Sequence, residues 1–260
     1  MIKISHLYTY PVKSLQATAS NQLTLGDRGP VGDRSWMMVD SDQRAVTLRE
    51  EPRLVRFSSA IEDGQLVLRH LAEKFVMDEA SASRAVQEVK LFSKPYLASA
   101  KHDPASQWIS ERLDRAVSLV KAPTDRSVRT MPEYYVNFPD SSQYLVLSQA
   151  SLDLLAVKTG QKISALRFRP NIVVDGAAAH AEDLWKIIKI GSDSFSAHKL
   201  CGRCKVITID PSTGDVDLSV LSTLGSYRKI DRKICLGVYF LRTSKGPSQL
   251  TVGDEVSVID

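Results

Sequence analysis

Cysteine is scarce in this chain: three residues in 260, at positions 201, 204 and 235. So small and odd a number excludes a disulfide scaffold and points to free thiols in a reducing compartment. Histidine is scarce as well, with five residues, and His6, His70, His102 and His180 show no metal-ligand spacing. No run approaches the roughly 20 apolar residues that a membrane span needs. The opening Met1-Ile2-Lys3-Ile4-Ser5-His6 alternates like a strand and lacks the apolar core of a signal peptide. The expectation is a cytoplasmic protein without a membrane span. There is no internal repeat, low-complexity tract, Walker loop, dinucleotide fingerprint or Gly-x-Ser-x-Gly elbow, so nothing suggests a bound nicotinamide or flavin. The net charge of +4 is mild. Lys and Arg are scattered, apart from pairs such as Arg228/Lys229 and Arg232/Lys233, which argues against a nucleic-acid partner. A basic pocket for a small anion stays open, because it needs only a few cations.

What is present reads as a globular chain with ample core material, 43% hydrophobic and 25% charged. The first 90 residues or so predict short strands: Ile2–Tyr10, Gln22–Leu25, Ser35–Asp40, Leu54–Ser59, Gln65–Arg69, Lys74–Met77 and Val86–Phe92. Turn residues such as Gly26-Asp27-Arg28-Gly29-Pro30 and Glu62-Asp63-Gly64 separate them. Many short strands with regular turns predict a barrel or sandwich. Helical signals are few. Asp103-Pro104 predicts a helix start with Asp103 as cap, followed by Trp108, Ile109 and Leu113 at helical spacing. Ser148 caps a second helix carrying Leu152, Leu155 and Ala156, which Gly160 closes. Val220, Leu221 and Leu224 mark a third. Strands return at Leu236–Arg242, Leu250–Val252 and Glu255–Ile259. The class is mainly β with a few short helices. Tyr96–Ser106, small and polar, reads as a linker, dividing the chain into 1–95 and 96–260 unless both parts share one core.

Cys201-Gly202-Arg203-Cys204 is the motif with most chemistry. A thiolate is a nucleophile and metal ligand, and Arg203 would favour it. Several readings compete. A structural zinc site needs four ligands, which only Cys235 and His198 could complete. A thioredoxin-like pair wants a helix after the motif, whereas Lys205-Val206-Ile207-Thr208-Ile209 reads as a strand. The pair could also be inert, or one cysteine could be reactive or metal-bound with a bystander beside it. Elsewhere, Tyr10-Pro11-Val12-Lys13-Ser14 sets an ammonium beside a hydroxyl, suited to an anionic oxygen or simply to a solvated turn. In Gly32-Asp33-Arg34-Ser35-Trp36, Arg34 could fork onto phosphate or pair with Asp33. In Phe168-Arg169-Pro170-Asn171-Ile172-Val173, Arg169 could clamp phosphate. Asn171 there could read a heterocycle edge or cap its own turn. Phe138-Pro139-Asp140-Ser141-Ser142 is a polar turn that could cradle phosphate.

Taken in order, these motifs form a set. With Arg49-Glu50-Glu51-Pro52-Arg53-Leu54, Ser148-Gln149-Ala150-Ser151-Leu152 and Val252-Gly253-Asp254 added, the set resembles the MOSC family over almost the whole chain. More narrowly, it is similar to the branch with an N-terminal MOSC β-barrel domain, which includes the mitochondrial amidoxime reducing components and bacterial relatives. The resemblance implies a MOSC β-barrel domain plus a smaller N-terminal β-barrel-like domain. It also implies a molybdenum cofactor (Mo-molybdopterin) with one protein thiolate on the metal, here Cys204. Residues matching Lys13, Ser14, Arg34, Arg169 and Asn171 would hold its phosphate and pterin. Asp140, Ser141, Ser142, Gly202, Arg203 and Tyr239 are further candidate contacts. The chemistry implied is oxygen-atom transfer from N-hydroxylated or N-oxygenated compounds, with Asp140 or a cofactor-bound water as candidate acid.

Two departures bear on that expectation. The chain holds no Cys-x4-Cys-x2-Cys run of the kind a plant-type ferredoxin domain carries. Electrons would then come from a separate donor protein of ferredoxin, flavodoxin or cytochrome type with its reductase. Cys201 is an extra thiol that could be a bystander or could form a disulfide that blocks metal binding. The alternative within the family is a cofactor carrier or sulfur-transfer module, as at the C-termini of molybdenum-cofactor sulfurases. Outside it stands a non-molybdenum protein with a structural or zinc-binding cysteine pair.

Overall fold

A computed structural model describes residues 1–83 and 86–259. The strand Lys3–Thr9 organises it. A register shift between Ile4 and His6 breaks its alternation, so that Ile4 and Leu7 face one core. It lies between Thr18–Ser20 and Ile172–Asp175 in a sheet that continues through Tyr144–Ser148, Lys233–Arg242, Asp193–Gly202, Ile187–Ile190 and Val256–Ile259. Tyr144–Ser148 and Ile172–Asp175 run parallel, and the helix Gln149–Thr159 belongs to the crossover between them. The far end of the sheet returns to its start. Ile4 N donates to Asp254 O, Gly253 N to Ile4 O and Val256 N to Ile2 O, each at 2.9 Å. The sheet thus closes as a barrel, which removes an exposed edge. Tyr144, Trp185, Ile188, Phe195, Val238 and Phe240 fill its core. The rings of Tyr144 and Phe195 meet edge to face at 5.2 Å.

The N-terminal part has its own core. One three-stranded sheet joins Trp36–Val39, Ser118–Lys121 and Ala100–His102, and another joins Phe57–Glu62, Gln65–His70 and Glu73–Met77. Trp36, Leu54, Phe57, Leu66 and Leu68 pack there with Ile109 and Leu113 of α1 (Asp103–Leu113). A third core sits under α2 (Gln149–Thr159) and α3 (Leu218–Tyr227), where Leu152, Leu155, Val220 and Leu224 cover Leu147 and Leu236. With 44% strand and three helices among the described residues, the mainly β class is what the chain adopts. Among those residues no helix is long and apolar enough to cross a membrane.

Four local expectations need correction. The segment Tyr96–Ser106 is regular structure, not a linker: it holds parts of the strands Lys94–Ala98 and Ala100–His102 and the first turn of α1. The cap of α1 is His102, whose Nδ1 accepts from Ala105 N at 3.0 Å, while Asp103 pairs with Lys101 at 2.7 Å. Residues 52–56 form a 3-10 helix started by Pro52, and the strand begins only at Phe57. Most consequentially, Lys205–Thr208 is a 3-10 helix, not a strand. Val206 and Ile209, three apart, both pack on the N-terminal core, whereas Ile207 joins the helical one. Spacing of three on one side is the 3-10 period.

Candidate active site

The loops singled out in the sequence leave different strands and converge on one cleft of about 780 Å³. Lys13, Ser14, Arg34, Asp140, Ser142, Arg169, Asn171, Gly202, Arg203, Cys204 and Tyr239 all line it. Ser141 does not; it lines an adjoining cavity. Three of the cleft residues hold left-handed backbones, Ser14 with φ 73°, Arg34 with φ 46° and Arg169 with φ 56°. Such φ values are uncommon outside glycine and cluster at functional sites.

Lys13 is buried. Its Nζ donates to Phe138 O at 2.9 Å and pairs with Asp140. Burial lowers its pKa to about 8, against the pull of Asp140. Asp140 also takes Arg49 Nη2 at 2.9 Å. Burial works against its ionisation, but Lys13 and Arg49 together outweigh that and hold the carboxyl well below its ordinary range. Arg49 also stands near the Cys204 side chain, in the same cleft. Arg49 stood in the family pattern but was not among the expected contacts. Its neighbour Glu50 bonds the hydroxyl of Thr47.

Tyr10 supplies a platform. Its ring lies 4.1 Å from the Arg34 guanidinium and 4.3 Å from that of Arg169. Its hydroxyl donates to Pro170 O at 3.1 Å. Arg34 is paired with Asp33 and donates to Arg169 O at 3.1 Å. Arg169 donates to Leu15 O at 2.9 Å, and no carboxylate pairs with it among the described residues. Burial pulls its pKa down to about 10. It is a cation without a directly paired carboxylate in the cleft, and among the described residues the hydroxyl of Ser14, in the same cleft, has no hydrogen-bond partner. Asn171 is different. Its Nδ2 donates to Tyr8 O at 3.2 Å and to Asp33 Oδ1 at 3.3 Å. Its Oδ1 accepts from Leu145 N and Arg34 Nη1, both at 3.3 Å. The amide therefore ties neighbouring strands and Arg34 together.

The two cysteines of the motif part company. Cys201 is buried in the strand Asp193–Gly202, its sulfur bonded to the Tyr239 hydroxyl. Burial pushes its thiol up, against the pull of Arg203. It likewise raises Tyr239 well above its ordinary value, with Cys201 and Asp140 adding to the effect. Cys204 is half-buried, free, and caps the 3-10 helix Lys205–Thr208. Arg203 holds this turn in place. Its Nε donates to Leu236 O and its Nη1 to Phe168 O, both at 2.8 Å. Arg167, also missed in the sequence, donates to Thr208 O at 3.2 Å and pairs with Asp210 at 2.7 Å, pinning the far end of the 3-10 helix. His198 turns instead to Thr130 at 2.7 Å. Among the described residues no group of three or more His, Cys, Asp or Glu is arranged for a metal ion.

Lys13, Arg34, Arg49, Arg167, Arg169 and Arg203 line the cleft against the single carboxylate Asp140. A site of this kind suits an anion, and the half-buried sulfur of Cys204 lies within it. Profile comparison agrees with the motif order. The profile described as MOSC N-terminal beta barrel domain matches residues 1–116 and that described as MOSC domain matches residues 133–257. The chain belongs to the MOSC family, in the branch that carries an N-terminal MOSC β-barrel domain. It is 32% identical to a mitochondrial amidoxime reducing component 2 from Bos taurus, over 97% of this chain and 82% of that one. Against mitochondrial amidoxime-reducing component 1 from Mus musculus it is 31% identical, over 98% and 82%. A molybdenum cofactor sulfurase from Oryza sativa subsp. japonica is 28% identical over 91% of this chain and 32% of its own.

Proposed function

We propose that the cleft binds a molybdenum–pterin cofactor with Cys204 as the metal's protein ligand, and that the protein reduces N-hydroxylated or N-oxygenated compounds. The observation that carries this reading is the pairing of a free, half-buried Cys204 with Arg169, a cation without a directly paired carboxylate, in one cleft. The residues fit the group. Arg169, Ser14 and Lys13 offer donors to a phosphate, and Gly202 leaves the backbone beside Cys204 open, being exposed. When bound, the cofactor supplies two-electron oxygen-atom transfer, which leaves the reduced nitrogen compound and water.

The chain's own residues do the rest. Arg203 and Arg167 fix the turn that presents the Cys204 sulfur. Arg49 stands near that sulfur and is held by Asp140. Asp140 is an ionised carboxylate that positions Lys13 and Arg49, and it is poorly suited to give up a proton near neutrality. Cys201 also lines the cleft but is buried in its strand, and it is assigned no ligand role. Electrons come from a separate ferredoxin-, flavodoxin- or cytochrome-type donor. The three free cysteines favour a reducing, cytoplasmic setting.

The similarity to a sulfurase favours one second reading, a module that binds the cofactor and hands it on. Protein purified from a cofactor-producing host separates the two. Molybdenum and pterin are quantified, and benzamidoxime reduction is followed with a chemical reductant. Stoichiometric cofactor with turnover is expected. Cofactor without turnover favours the carrier, and a metal-free, inactive protein sinks both.

A further inference from the structure

A second cavity of about 750 Å³ adjoins the cleft, and Asp140 lines both. Phe92 stands between them. It sits in the turn joining the strands Gln87–Leu91 and Lys94–Ala98, with φ 52° and half its surface exposed. Its ring lies 5.5 Å from Lys13 Nζ and 5.0 Å from the Arg49 guanidinium, both cleft residues, and it also lines the second cavity. Arg49, beside the Phe92 ring, lines the same cleft as Cys204.

The charge of this cavity is one-sided. Lys94, Arg126, Arg129 and Lys199 line it, and Asp140 is the one carboxylate among its described lining residues. Lys13 and Arg49 already neutralise that carboxylate. Arg126 is the informative member. It is only 8% exposed, and among the described residues no carboxylate pairs with it. It donates to the carbonyls of Asn137 and Pro139, but its Nε is buried without a partner. Its guanidinium lies 5.0 Å from the Tyr96 ring. A buried guanidinium with no directly paired carboxylate, only the more distant Asp140, and without a full set of acceptors is costly to keep, and an anion relieves that cost. Phe92 and Tyr96 give the same cavity aromatic walls that suit a planar ring.

We propose that this cavity is a subsite for the anionic end of the substrate. A planar N-hydroxylated compound bearing a carboxylate or phosphate lodges that anion among Lys94, Arg126, Arg129 and Lys199. Its N–O group then reaches past Phe92 to Cys204. The identity of the ligand as substrate rests on the reductase reading above; the anion site itself does not.

The test is calorimetric titration of the full chain, purified from a cofactor-producing host, with 4-carboxybenzamidoxime and with neutral benzamidoxime at low salt. The carboxylate compound should bind about tenfold tighter. The Lys94→Ala/Lys199→Ala double variant changes two exposed side chains. It should erase about threefold to tenfold of that preference and leave the neutral compound unaffected, as should raised salt. Equal binding of the two compounds, or a preference untouched by the double variant, overturns the subsite. Binding is read without turnover, so the two readings fail separately. A charge preference that the double variant removes, in a protein that reduces neither compound, upholds the subsite and sinks the reductase. Reduction of benzamidoxime without any charge preference does the reverse.

Discussion

Replacing Asn171 with leucine removes a side chain that is 2% exposed and makes four hydrogen bonds. Leucine is of similar size, so packing is roughly conserved and the loss is polar. Two partners, Leu145 N–H and Tyr8 C=O, belong to buried strands. An orphaned buried group costs about 1–3 kcal/mol. Bonds of 3.2–3.3 Å argue for the low end, hence about 2 kcal/mol for that pair. Asp33 and Arg34 keep each other, so their loss is smaller, about 1 kcal/mol together. The sum, about 3 kcal/mol, is a large share of the roughly 5–15 kcal/mol of a typical domain. Urea unfolding followed by tryptophan fluorescence reads it as a fall in midpoint at unchanged slope. Asn171→Asp keeps the shape but sets a second carboxylate against Asp33, and it should fall at least as far. A loss below about 1 kcal/mol would refute the reasoning and leave the Asn171 amide free to face a ligand.

Three further outcomes are expected. Cys204→Ser should abolish molybdenum retention, measured by elemental analysis, with the melting curve unchanged. Cys201→Ser should keep the metal and lose about 1–2 kcal/mol of stability, because it buries a hydroxyl in a thiol's place; the opposite pattern would reassign the ligand. Lys13 is charged below its pKa of about 8 and neutral above it. Sulfate, which does not titrate in this range, should therefore bind the cofactor-free protein more weakly above about pH 8, by up to tenfold per pH unit. Lys13→Arg should flatten that profile over pH 7–9, as calorimetry would show. Gly237 has φ 75°, and a Cβ there would meet Val146 O at 2.8 Å and Arg203 Nη2 at 3.4 Å. Gly237→Ala should lower stability by about 1–3 kcal/mol and loosen the turn that Arg203 holds, seen as faster alkylation of Cys204 by iodoacetamide.

Strands such as Gln22–Leu25, outside the barrel sheet, and Glu255–Ile259, within it, were legible in sequence because burial on one face writes an alternation. The caps at Ser148 and Gly160 were legible because they act within one turn of chain. The run Lys205–Ile209 misled because its β-branched residues divide between two cores, and local alternation cannot tell a strand from a 3-10 turn packed on both sides. Asp103 lost its cap to His102 because an imidazole nitrogen can do the same work. The cleft residues were legible mainly as a set. Lys13, Arg34, Arg169 and Cys204 lie far apart along the chain, and nothing local says that they meet. Arg49 and Arg167 escaped notice for a related reason: their partners, Asp140 and the backbone after Cys204, are distant in sequence. The division of labour within Cys201-Gly202-Arg203-Cys204 was invisible too, since burial, not spacing, separates the two thiols.

The barrel closes between the strand Lys3–Thr9 and the segment around Asp254, nearly the whole length of the chain apart. Its other long partner, Ile172–Asp175, is also far away in sequence. A ribosome delivers the first strand long before either partner. Pairing over such separations is slow and waits for the later segments. Lys13 and Ser14 follow directly from that first strand, so the anion-holding wall of the cleft is assembled last. Until that pairing is made, the cleft lacks a fixed Lys13 and Ser14. The cleft is thus complete only after the segment around Asp254 has paired with the strand Lys3–Thr9.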